Sequence, residues 1–158
     1  MAVIQRPRDA ALLVSESVGR KPFHRPLGGH VEFGEHAIDT IHREFAEEIG
    51  QRLTDVRLVG VLENIFQWEG TTEHEVVFIF RAAFTDPAAY EIEAQTIRDQ
   101  PNATDRVIWR PRDASEPPLY PAGLAALIDA SALRARMPPK VPRQTRGSRA
   151  QGRLQFAS

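Results

Sequence analysis

Apolar residues recur at Ile38, Ile41, Phe45 and Ile49, the spacing of one helical face. This predicts a helix over residues 36–49, and Gly50 supplies a stop signal just beyond it. Residues 10–15, AALLVS, read as a short buried strand. Residues 56–66 and 74–84 are rich in β-branched and aromatic side chains, which favour strands. The polar run Glu69-Gly70-Thr71-Thr72 between them reads as a hairpin connection. Val107-Ile108-Trp109 is a further short strand. Pro117, Pro118 and Pro121 precede a second helix from about residue 122 to 136, striped by Leu124, Leu127 and Ile128. Residues 21–35, rich in Gly and Pro, read as loop or strand edge, and residues 86–104 as a loop. Together these predict an α/β layered domain, a mixed sheet covered by helices.

The chain has 158 residues, enough for one domain with its own core. Residues 1–136 are expected to form that domain. Residues 137–158 carry five basic residues and no acid, and read as a basic tail. Without those five, fifteen Lys and Arg face 21 Asp and Glu, so the rest carries about -6. An acidic body argues against non-specific nucleic-acid binding and for carboxylates that could hold a cation. There is no Cys, hence no disulfide, thiolate metal site or Cys nucleophile. No apolar run reaches the ~18 residues of a membrane span, and the first residues carry no apolar signal segment. No membrane partner and a cytoplasmic location are the expectation, and a homodimer is left open.

Within the first helix, Glu44, Glu47 and Glu48 fall at i, i+3 and i+4. At about 100° per residue they share an arc of about 100°. Like charges so close repel by about 1 kcal/mol or more per pair. Two compensations are open: solvation of an ordinary surface helix, or a hard divalent cation bound through oxygen.

The spacing Gly29-x5-Glu35-x7-Arg43-Glu44-Phe45-x-Glu47-Glu48-x-Gly50 resembles the signature of the Nudix hydrolases, the Nudix box, over residues 29–51. Seven fixed residues and one hydrophobic position match, while Gln51 stands where the family has an aliphatic residue. The resemblance implies an α/β/α sandwich and hydrolysis of a diphosphate linkage in a nucleotide or nucleoside diphosphate derivative, with Mg²⁺ or Mn²⁺. It implies that Glu44 and Glu48 are metal ligands, with Glu47 a ligand or general base and the Gly28 carbonyl a further ligand. It also implies that Glu35 and Arg43 brace the loop against the helix.

Gly29, His30 and Glu32 are candidates for contact with a small-molecule nucleotide, and His24 flanks the same loop. Glu73 and Glu75 are reserve candidates for a general base outside the box, and Phe66 and Trp68 for stacking on a base. His36 and His42 are six apart, about 120° around a helix, and do not form a metal pair. Two other readings stand beside the hydrolase: a non-catalytic Nudix-fold nucleotide-binding or regulatory module, and an RNA-associated protein acting through its basic tail. Retention of Glu44, Glu47 and Glu48 favours the enzyme over the first. The second rests on the tail alone.

Overall fold

Neighbouring residues along several strands point into different cores. Leu13, Ile4, Phe80 and Trp109 enter one cluster with Ile41, Phe45 and Ile49. Leu12, Val14, Val3 and Ile79 enter another with Leu124 and Ile128. A strand apolar on both sides needs a layer on each face, and here a helix supplies each layer. A buried Phe or Ile of this kind is worth about 1.5–3 kcal/mol relative to exposure.

The computed structural model describes residues 1–18, 21–68, 70–98 and 106–136. In chain order the elements are β1 (Ala2–Ile4), β2 (Leu12–Ser17), β3 (Phe23–Arg25), α1 (Ala37–Ile49), β4 (Leu53–Trp68) and β5 (Thr71–Phe84). A 3-10 turn (Pro87–Glu91), β6 (Ala94–Thr96), β7 (Arg106–Arg110) and α2 (Leu124–Arg136) follow. They build two sheets, one mixed and one antiparallel. One has the order β1-β5-β4, with β1 parallel to β5 and β4 antiparallel to it. The other is antiparallel, with the order β3-β2-β7-β6. The α/β class and the sandwich by two helices stand as expected. Among the described residues no helix is long and apolar enough to cross a membrane.

Helix α1 starts one residue later than its periodicity suggested, with His36 as the extended residue before it. It ends at Gly50, whose φ of 69° is left-handed and suits a residue without a Cβ. Ile38 departs from the predicted stripe: it is 40% exposed. Strand β1 had no signal of its own. Three residues are too few for a pattern, and it exists through pairing with Phe80, Arg81 and Ala82. The strand expected at residues 10–15 is shifted, because Ala10 sits in a turn at φ 59°.

Strand β4 is longer than expected, extended by antiparallel pairing with β5 from Leu53↔Phe84 to Trp68↔Thr71. Thr71 and Thr72 therefore belong to β5, and Glu69 lies outside the described residues. The polar segment after Phe84 is not all loop. Asp86 accepts from the Ala88 amide at 2.9 Å to start the 3-10 turn, and β6 pairs with β7. Helix α2 begins after Gly123, two residues late. The expected basic tail lies outside the described residues.

Candidate functional site

Arg43 organises the loop in front of α1. Its Nε and Nη2 donate to the two oxygens of Glu35, each at 3.0 Å. This is the two-pronged fit of a guanidinium to a carboxylate. The hydroxyl of Thr40 donates to Glu35 Oε2 at 2.8 Å, and the Glu32 amide donates to the same oxygen at 3.2 Å. Arg43 Nη2 also reaches the His30 carbonyl at 3.3 Å. Hydrogen bonds from Arg43 hold the Glu35 carboxyl down at about 2, with Thr40 and the Glu32 amide acting the same way. Arg43 itself is raised, chiefly by Glu35.

The same guanidinium answers the repulsion among the glutamates. Arg43 Nη1 donates to Glu44 Oε1 at 2.7 Å and to Glu47 Oε2 at 3.2 Å. The sequence reading weighed solvent and a cation as compensations; an arginine one residue away is a third. The three acids do not share one environment. Glu44 and Glu48 sit on the margin of the buried helix face, with 9% and 6% exposure. The Glu47 side chain is 52% exposed. Among the described residues, no three acidic or imidazole side chains already form a metal-holding group.

The residues nonetheless fit a hard cation in their chemistry and in one feature of their packing. A Cβ built on Gly29 would lie 2.1 Å from Glu44 Oε1. The chain therefore passes close over the carboxylate, with no Cβ between them. Two buried carboxylates one helical turn apart, beside glycine backbone, form an all-oxygen donor set. Gly28 has a φ of 140°, and a Cβ there would lie 2.8 Å from Met1 Cα. The Met1 amino group donates to the Phe78 carbonyl at 3.0 Å. Burial pushes that amine down to about 6, opposed by the negative charges of Glu44, Glu48 and Glu75. The acids of α1 and a carboxylate from β5 thus face one neighbourhood.

Next to it opens a cavity of about 700 Å³. It is lined by Met1, Arg25, His30, Asn64 and Glu75. Lys21, Phe23, Phe66, Glu73 and Tyr120 line it too, and Phe66 and Glu73 lie nearer the turn of the β4–β5 hairpin than Asn64 and Glu75 do. The rings of Phe23 and Tyr120 meet edge to face at 5.8 Å. Arg110 holds up this wall from behind. It is buried, and it donates to the carbonyls of Ala114 and Pro117, each at 2.6 Å, and to His24 Nδ1 at 2.8 Å.

Of the sequence candidates, His30, Glu73, Glu75 and Phe66 line the cavity. Glu32 is exposed and meets Glu35 through its backbone amide. His24 is not at the surface of the loop. It is buried between Arg110 and Glu16, whose Oε1 is 3.7 Å from Nε2. Burial, then Arg110, pushes its imidazole below its ordinary value. His74 lies on the outer face of the hairpin, 2.8 Å from Glu63. Trp68's side chain lies outside the described residues.

Sequence reasoning missed Lys21, Phe23, Arg25, Asn64, Arg110 and Tyr120. One of these, Asn64, had a signal. Pairing outward from Trp68↔Thr71 sets Asn64 opposite Glu75 and Phe66 opposite Glu73. All four then share one sheet face by the two-residue period. The others come from distant segments that only folding brings together.

Residues 1–129 match the family model described as the NUDIX domain. Among solved structures the chain is similar to the solution structure of the E. coli ORF135 protein. The TM-score is 0.51 at 23% identity, over 87% of this chain and 90% of that one. At that identity the likeness speaks for the fold.

Proposed function

The chain belongs to the NUDIX domain family, and from that premise we propose that it hydrolyses the diphosphate linkage of a nucleotide or nucleoside diphosphate derivative with bound Mg²⁺ or Mn²⁺. Members of this family generally act on pyrophosphate bonds of nucleoside diphosphate derivatives. The observation that carries the reading is the pair of buried carboxylates, Glu44 and Glu48, packed against Gly29 beside a cavity with cationic and aromatic walls.

Glu44 and Glu48 would hold the ion, with the Gly28 carbonyl as a further oxygen ligand and Glu47 at its outer side. Bound there, the ion would neutralise the diphosphate and make a water more acidic. The remaining tasks fall to the chain. Arg43 fixes Glu35 and the His30 carbonyl, so loop and helix keep one spacing. His30 and Arg25, in the cavity lining, offer donors and positive charge to phosphate oxygens. Phe23, Phe66 and Tyr120 in the same lining give a planar ring apolar surface to lie against. A substrate laid along the cavity puts its phosphates toward the acids and its base toward the hairpin turn.

The test is phosphate release from a panel of nucleoside di- and triphosphates, nucleotide sugars and dinucleotides, with Mg²⁺ and with Mn²⁺. Turnover is expected for at least one member, lost on chelation without unfolding. Glu48→Gln should keep the fold and lose more than about 100-fold in kcat. Full activity of that variant at saturating Mg²⁺ would defeat the assignment. Nucleotide binding with no turnover anywhere in the panel would favour the binding-module reading.

A further inference from the structure

The acids of α1 leave one task unassigned: taking the proton of the attacking water. Glu47 is poorly placed for it. It is half-exposed, and it shares the Arg43 guanidinium, 3.2 Å away, with Glu44 and Glu35. Its Oε2 is already engaged by that donor. Glu44 and Glu48 are committed to the cation.

Glu75 on β5 differs in each respect. It lines the cavity. Its Oε1 accepts a hydrogen bond from Asn64 Nδ2 at 2.9 Å, and Asn64 is 9% exposed. Asn64 and Glu75 are direct partners in the β4–β5 register, so the amide is fixed by the sheet rather than by a flexible loop. A neutral amide orients a carboxylate without cancelling its charge. Position supports the same role. Glu44 abuts Gly29, Gly28 abuts Met1, and the Met1 amine is tied to β5 at Phe78, three residues from Glu75. Glu73 points into the same cavity, but about 7 Å farther along the strand, toward the hairpin turn.

We propose that Glu75 is the catalytic carboxylate that accepts the proton of the attacking water, and that Asn64 is its positioning residue; this rests on the hydrolase reading above. The water oxygen bonds to phosphorus as the bridging P–O bond breaks. The electron pair of that bond leaves with the departing phosphate. One water proton passes to Glu75 Oε2, while Asn64 keeps Oε1 in place.

The experiment compares the wild type with Glu75→Gln, Asn64→Leu and Glu63→Gln on the nucleotide that the wild type turns over fastest in the panel, at saturating Mg²⁺. Binding of Mn²⁺ alone is followed by calorimetry, and folding by thermal melts. Glu75→Gln should lose about 100-fold or more in kcat, with KM within about 3-fold and Mn²⁺ affinity unchanged. Asn64→Leu should lower kcat about 10-fold at constant KM, a split that general loosening of the hairpin would not give. Glu63→Gln, on the outer face beside His74, should match the wild type. The proposal is overturned if Glu75→Gln keeps kcat within about 3-fold. It is also overturned if that variant binds Mn²⁺ more weakly and recovers at higher metal, since Glu75 would then be a ligand. A wild type inactive on the whole panel sinks the hydrolase reading itself, whereas an active wild type with an unaffected Glu75→Gln sinks this inference alone.

Discussion

Replacing Gly29 by Ala separates a functional close approach from a structural one. The added Cβ would stand 2.1, 2.4 and 2.7 Å from the three terminal atoms of Glu44. Ordinary contact begins near 3.4 Å, so the carboxylate must retreat by about 1.3 Å (3.4 less 2.1). Gly29 is not in the left-handed region, so alanine adds no backbone strain there. The obstructing group is the end of a flexible side chain, which can swing aside. Stability should therefore change little, with a Tm within a few degrees of the wild type. Activity should change a great deal, because the retreat breaks the 2.7 Å bond to Arg43 and moves a proposed metal ligand. A misplacement of about 1 Å costs on the order of 100-fold in rate. The assay is phosphate release across a Mg²⁺ titration, with a thermal melt of the same sample. A stable Gly29→Ala variant with kcat/KM within about 3-fold of the wild type would refute the reasoning, since Glu44 would then need no fixed position.

Arg110→Met removes the donor of the Ala114 and Pro117 carbonyls and of His24. It should cost about 3 kcal/mol, or roughly 10 °C in Tm, and an unchanged melt would show the wall at Pro117 standing without it. His24 makes stability depend on pH. Its folded-state pKa lies below the ordinary 6.5, so its contribution is present above 6.5 and lost as the pH falls from there toward the folded value. Urea unfolding at about pH 7.5 and about pH 5 should show that loss in the wild type, and less of it in His24→Gln. Equal slopes in the two proteins would disprove it. Phe66→Ala should raise KM by about 10-fold with kcat nearly constant, if a base lies against that ring. A KM that does not move would place the base elsewhere.

Local order was legible wherever a period or a stop signal is self-contained. Helix α1, its end at Gly50, the two long strands and β7 follow from the sequence, because periodicity and glycine chemistry act within a few residues. The box spacing likewise brought out Glu35, Arg43, Glu44, Glu47 and Glu48 as a group. What α1 could not state is how its acids divide. Glu44 and Glu48 go inward and Glu47 outward, because the sheet covers one flank of the helix and solvent the other. Strand β1 and the split into two sheets were decided by pairing between segments nearly eighty residues apart, such as Ala2↔Phe80. The cavity is tertiary throughout: Phe23 meets Tyr120, Arg110 pins His24, and Met1 lies against Gly28. Such contacts depend on where the layers bring distant side chains, and no spacing along the chain encodes that.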